Sequence, residues 1–199
     1  MRIKPRPVTC LVVFFVLFCA RVGPATAQSV AEGERKHGIC ASCHGIGGRS
    51  FKPHYPILAG QPASYIRRQL QDFKQSKRSD PNMDAVVPQL SDEDIRDLSA
   101  FFASRKPYWT PIPSEAMKAV RRRSKARSAH CEACHLPGRA TRIGESPRIR
   151  RQHPDYLMKQ LRDFRSGRRS NDGGVMRNVA QSLSDADIED LSYYFARTR

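Results

Sequence analysis

Cys40-Ala41-Ser42-Cys43-His44 and Cys131-Glu132-Ala133-Cys134-His135 decide how this chain is read. They are two copies of one pattern, Cys-x-x-Cys-His, set 91 residues apart. Further matches keep that spacing: Pro56 with Pro147, Gln61 with Gln152, Tyr65 with Tyr156, Gln69-Leu70 with Gln160-Leu161, and Asp72-Phe73 with Asp163-Phe164. The spacing then becomes 93, pairing Met83 with Met176 and Leu90-Ser91-Asp92 with Leu183-Ser184-Asp185. From Leu90 to Ala103, ten of fourteen positions are identical to their counterparts, which marks an internal duplication.

The boundary between the copies is legible as well. Three prolines, Pro107, Pro111 and Pro113, fall within Lys106–Pro113 and favour an extended connector over a helix. The division is therefore residues 28–106, a connector at 107–113, and residues 114–199. Each copy is near the lower size limit for building a core unaided, a shortage that a large apolar cofactor would relieve.

Residues 1–27 read as an export signal. Arg2, Lys4 and Arg6 precede the apolar run Val8–Ala20, and Ala25-Thr26-Ala27 supplies the small residues of a cleavage site before Gln28. An uncleaved anchor is the competing reading, disfavoured by the short run. Phe18 before Cys19 is too large for a lipoprotein site. Cleavage would remove Cys10 and Cys19, leaving four cysteines, and would lower the net charge from +16 to +12. With 39% hydrophobic and 27% charged residues, the chain is too apolar for a disordered protein and too polar for a multi-span membrane protein.

Both copies read as helical. Tyr65, Ile66, Gln69, Leu70 and Phe73 share one helix face, and Tyr156, Leu157, Gln160, Leu161 and Phe164 repeat it. Ser91 with Asp94, and Ser184 with Asp187, form capping boxes. Ile95, Leu98 and Phe102 follow the first of these on one stripe, and Ile188, Leu191 and Phe195 follow the second. Further helices are predicted around 30–39 and 114–129, and no sheet beyond short pieces.

Cys-x-x-Cys-His is the attachment signal of c-type haem. The thiols of Cys40 and Cys43, and of Cys131 and Cys134, would add to the haem vinyl groups, with His44 and His135 reaching the iron from one face. Three rivals use the same residues. Zinc ribbons space their second cysteine pair about 15–20 residues away, whereas Cys43 and Cys131 are 88 apart. Thioredoxin-like chemistry needs a βαβ setting. Structural disulfides leave the two histidines unexplained. For the far side of the iron Met is one common ligand, and Met83 and Met176 hold matching positions after turn-rich basic stretches, expected on loops. Gap-filling core methionine is the competing role. Met117 and Met158 have no repeat partner and read as ordinary helix residues; His37, His54, His130 and His153 read as surface or capping residues.

Together these residues resemble the di-haem cytochromes c of the cytochrome c4 family. In the first copy the resemblance rests on Cys40–Gly45, Pro56–Gln61, Tyr65, Gln69-Leu70, Phe73, Met83 and the Leu90-Ser91-Asp92 helix start. It implies an all-α chain of two tandem class I cytochrome c domains, carrying two covalently attached haem c groups. It further implies that the carbonyls of Pro56 and Pro147 accept the Nδ1 protons of His44 and His135. The second copy departs from the pattern at Leu136-Pro137, at Arg150-Arg151 and at Asn171–Gly174, which inserts two residues before Met176.

An iron held by His and Met has no open site for substrate, so the chain reads as a periplasmic one-electron carrier and not an enzyme. By resemblance it would run between a respiratory donor complex and a terminal oxidase or reductase. Alternatives are a haem peroxidase, an oxidase of sulfur compounds, and the electron-accepting subunit of a dehydrogenase. Charge is unequal: residues 28–110 are net +3 and residues 111–199 net +9. The run Arg121–Arg127 suits an acidic partner or an anionic membrane surface, with a solvated helix face as the plain alternative. Nucleic acid is a poor partner, because no aromatic residues interleave the run.

Overall fold

In the computed structural model the described residues are 29–108, 117–135, 140–141 and 144–197. The export signal at 1–27, most of the 107–113 connector and Leu136-Pro137 lie outside them. The first half runs α1 (Val30–Lys36), α2 (Gly38–His44), α3 (Ala63–Lys74), α4 (Pro81–Val86) and α5 (Asp92–Ser104). The second runs α6 (Met117–His135), α7 (Pro154–Ser166), α8 (Val175–Gln181) and α9 (Asp185–Arg197). A two-residue antiparallel pair, Ala140–Thr141 with Gly144–Glu145, is the short piece of sheet. No helix among the described residues is long and apolar enough to cross a membrane.

The helices form where their caps say they should. Ser91 Oγ accepts from the Asp94 amide at 3.0 Å while Asp94 accepts from the Ser91 amide at 2.8 Å. Ser184 and Asp187 repeat both bonds at 3.1 and 3.0 Å. Such reciprocal caps satisfy donors that the first turn leaves unpaired.

In the first half α1 crosses α5 with backbone nearly touching backbone. A Cβ on Gly33 would sit 2.2 Å from the Asp97 carbonyl oxygen and 2.6 Å from Phe101 Cβ, so only glycine fits there. Asp97, almost fully buried, accepts from the Ser29 amide at 2.8 Å and from Lys36 Nζ at 2.9 Å, and Lys36 also pairs with Asp94 at 2.8 Å. In the second half α6 takes the place of α1 and α2 and packs on α9. Ala129 stands where the first half has Gly38, and alanine keeps the helix running through the point where α1 gives way to α2.

Ile66, Leu90, Ile95, Leu98, Phe101 and Phe102 form the buried core of the first half, with Cys40, Leu58 and Leu70 against it. Leu157, Leu191 and Phe195 are its smaller counterpart, with Cys131, Ile149, Leu183 and Tyr194. The first cysteine of each pair, Cys40 or Cys131, thus sits at the edge of a core.

The halves face each other through matched contacts. Arg78 donates to Gln69 in its own half at 2.7 Å and to Tyr156 and Gln160 of the other at 3.2 and 3.1 Å. Arg169 donates to its own Gln160 at 2.7 Å and across to Tyr65 and Gln69 at 3.4 and 2.8 Å. Each guanidinium also stacks over a phenylalanine of its own half, Phe73 or Phe164. The repeat spacing of 91 maps one cluster onto the other, so the interface has approximate two-fold symmetry.

Candidate haem-binding site

Each Cys-x-x-Cys-His motif closes a helix, α2 in one half and α6 in the other. Helical spacing puts the two thiols on neighbouring turns and leaves the histidine at the helix end, where its ring can turn inward. His44 is buried and its Nδ1 donates to the Pro56 carbonyl at 2.9 Å. His135 Nδ1 donates to the Pro147 carbonyl at 2.8 Å. With Nδ1 protonated and bound, Nε2 is left with a bare lone pair, the state a metal ligand needs. Burial pushes both imidazoles below the ordinary histidine range, against the opposing pull of the proline carbonyls, so both stay neutral at pH 7.

Burial pushes the Cys40 thiol up to about 11, with Cys43 adding to the effect, and burial likewise takes Cys131 to about 11. Redox-active or metal-binding cysteines instead show lowered values. The four cysteines among the described residues are free. Among the described residues no group of three or more His, Cys, Asp or Glu could hold a metal ion. The zinc, thioredoxin and disulfide readings therefore find no support in the geometry.

Both motifs open onto one continuous cavity of about 560 Å³. Its walls include Cys40, Cys43, His44 and Met83 from the first half, and Cys131, Cys134, His135 and Met176 from the second. Apolar side chains such as Ile57, Leu58, Leu70, Val86, Leu157 and Leu161 fill much of the remaining lining. Free thiols at the rim, a neutral imidazole with its Nε2 available, and an apolar chamber fit a covalently held haem in each half.

The methionines differ from expectation in one respect. Met83 and Met176 do not lie on loops; each occupies the first turns of a short helix, α4 or α8. Asp80 caps α4 by accepting from the Asn82 amide at 3.2 Å. Asp172, two residues before Gly174 at the N-cap of α8, accepts from the Gly174 amide at 3.2 Å and from the Met176 amide. Gly173 and Gly174, in the stretch Asn171–Gly174 that adds two residues, take φ of 71° and 87°, a conformation glycine adopts without strain. The insertion thus redirects the chain so that Met176 still lines the cavity. Met158 borders a separate pocket with Asp155, Lys159 and Arg162. The side chain of Met117 lies outside the described residues.

Of the remaining histidines, His37 stacks on Phe101, while His54 and His130 are exposed at the cavity margin. His153 stands at the N-cap of α7, one of the two expected roles, but not at the surface. It is buried, and its Nε2 donates to the Ser50 carbonyl of the other half at 3.0 Å. Arg78, Arg169, Gln61 and Gln152 also line the cavity from the interface side. Their shared repeat positions were a signal, but nothing in the sequence says that they reach across and not inward.

The family model for cytochrome c matches residues 30–106. Cytochrome c4 of Azotobacter vinelandii is 37% identical over 185 residues, covering 84% of this chain and 88% of the relative. The crystal structure of reduced cytochrome c4 from Pseudomonas stutzeri superposes with a TM-score of 0.76 at 34% identity, covering 87% of this chain and all of that one.

The chain belongs to the cytochrome c4 family.

It is an all-α, two-domain class I cytochrome c, an electron-transfer protein whose cofactors are two covalently attached haem c groups. A related branch is also near. A protein of Stutzerimonas stutzeri named thiosulfate dehydrogenase electron acceptor is 36% identical, covering 79% of this chain and 77% of that one.

Proposed function

We propose that this cytochrome is exported to the periplasm and shuttles single electrons between a respiratory donor complex and a terminal oxidase or reductase. Residues 28–106 and 114–199 would be its two redox domains. Cys40 and Cys43 would hold one haem and Cys131 and Cys134 the other, with His44 and Met83, and His135 and Met176, as axial ligands. Haem iron held this way cycles between ferric and ferrous states without binding substrate. The observation that carries the reading is the pairing, in one cavity, of a neutral proline-bound histidine with a methionine in each half.

The protein's own residues account for the rest of the task. Pro56 and Pro147 fix the two imidazole planes through Nδ1. The apolar lining keeps water from the iron and limits rearrangement between oxidation states. The positive second domain steers acidic partners at low salt. Part of the basic run is already engaged, since Arg127 pairs with Asp187 at 2.8 Å, just as Lys36 pairs with Asp94 in the first half. The docking surface would therefore centre on the rest of the run, Arg121–Lys125, with Arg127 still more than half exposed.

The test is electron exchange with respiratory membranes of the host. Rapid reduction by the donor and reoxidation by the oxidase is the expected result; failure of both refutes the shuttle. A second reading is that the chain accepts electrons from a thiosulfate-oxidising dehydrogenase, favoured by the relative of that name. Reduction by such a dehydrogenase with thiosulfate, faster than by the membranes, would establish it.

A further inference from the structure

The peptide group joining Pro56 to Ile57 is engaged at both of its polar atoms. Its oxygen accepts from His44 Nδ1 at 2.9 Å, and its N–H donates to Oε1 of Gln152, a residue of the other domain, at 2.8 Å. Gln152 Nε2 in turn donates to the Ile57 carbonyl at 3.0 Å. The second domain repeats this in reverse. The Pro147–Arg148 peptide accepts from His135 Nδ1 at 2.8 Å and donates to Gln61 Oε1 of the first domain at 2.9 Å. Gln61 Nε2 donates to the Arg148 carbonyl at 2.7 Å. Both glutamines are buried, and they are repeat equivalents of each other. In each case only one orientation of the side-chain amide satisfies both bonds.

The chemistry of a peptide couples its two ends. Giving the N–H to an acceptor shifts charge onto the carbonyl oxygen, which then binds its own donor more strongly; such cooperative strengthening is roughly 10–30% per bond. A stronger bond at Nδ1 makes the imidazole a better donor toward iron and favours the ferric state. We propose that Gln61 and Gln152 are crossed positioning residues, each setting the reduction potential of the haem in the opposite domain through the peptide that binds its histidine. In this proposal His44 and His135 would keep their Nδ1 protons on the Pro56 and Pro147 carbonyls, so one electron would move and no proton would leave. The inference rests on the reading of His44 and His135 as axial ligands.

The experiment uses the full-length holoprotein with Gln152→Leu, Gln61→Leu, Gln152→Glu and Gln61→Glu. A redox titration followed by proton NMR resolves the two sets of haem methyl resonances, assigned by domain. Gln152→Leu is expected to raise the potential of the first-domain haem and to move the Nδ1 proton resonance of His44, leaving the second-domain haem in place. Gln61→Leu should do the reverse. The glutamate variants restore an acceptor for the peptide N–H and should bring the affected potential back to the wild-type value or below it. They also keep the test open if the leucine variants fail to fold. Equal shifts of both haems, a shift confined to the variant's own domain, or no shift would overturn the proposal. A wild-type protein with fewer than two haems, or with no imidazole on iron, would sink the ligand assignment instead, before the crossed effect is measured.

Discussion

The two halves of this molecule keep the same wall around the cofactor and build the rest differently. Both carry the histidine bonded to proline, both hold a methionine in the first turns of a short helix, and both pair a cation of the first helical segment with the capping aspartate of the last helix. Away from that wall they diverge. Gly33 lets α1 touch α5, whereas its counterpart in α6 is Ser124, buried with no partner for its hydroxyl. Gly60 and Arg151 occupy one repeat position, and both have positive φ, 74° and 63°. Each amide makes the same bond to the last helix, to Phe102 at 2.9 Å or to Phe195 at 2.8 Å. The backbone turn just before Gln61 and Gln152 is thus the same with glycine or with arginine at that position. The two halves therefore match at the cofactor wall and differ at the helix crossings.

The strongest way to break the comparison is to remove the cysteines of one half at a time. Cys131→Ser with Cys134→Ser should lower the haem count from two to one. Because the buried core of the second half is the smaller among the described residues, its helices should then melt well before those of the first. Cys40→Ser with Cys43→Ser should also halve the count yet leave more of its own domain folded. Haem assay and circular dichroism melts read both results, and equal melting of the two variants would contradict the difference between the cores.

Next in size is the helix crossing. Gly33→Ala places a methyl within 2.2 Å of backbone and should destabilise the first domain by about 3 kcal/mol. Ser124→Ala removes a buried, unpartnered hydroxyl and should be neutral or stabilising by about 1 kcal/mol. Denaturant titrations of the two variants should therefore move in different directions.

The clasp between helices gives a pH signature. Asp94, hydrogen-bonded by Lys36 and then by Ser91, is held at about 2. Its folded value lies below the ordinary aspartate value of about 3.9. Its stabilisation is therefore complete above that value and is lost as pH falls toward 2. Lys36→Gln should flatten this part of the stability profile. The pair is partly exposed, so the change is on the order of 1 kcal/mol or less. Thermal melts between pH 2 and 5 would show it. The smallest effect belongs to the surface. Arg121, Arg122 and Arg123 changed together to Gln should slow reduction by the partner several-fold at low salt, a difference that fades by about 0.15 M ionic strength. Unchanged rates at low salt would mark the run as an ordinary solvated face.

Much of this was legible in the residues. The duplication, the capping boxes and the apolar faces of α3 and α7 all follow from local spacing, which a sequence displays directly, while the proline partners of the histidines came only with the family resemblance. The helical placement of Met83 and Met176 was not, because α4 and α8 are too short to show a period. Nor was the burial of His153, since its partner Ser50 lies 103 residues away in the chain. The crossed glutamines were visible as a repeat but not as a contact. Repetition says that two residues share a role, and only the assembled interface says toward which domain each one points.

The measurement that tests the account most directly is an optical spectrum of the mature protein, oxidised and reduced, with a pyridine haemochrome count. Two c-type haems per chain, with the ferric band of Met–iron bonding at the strength of two sites, is the result this account predicts. Two haems with that band at half strength would contradict the equivalence of Met83 and Met176. A protein without covalently bound haem would contradict the reading of both cysteine motifs.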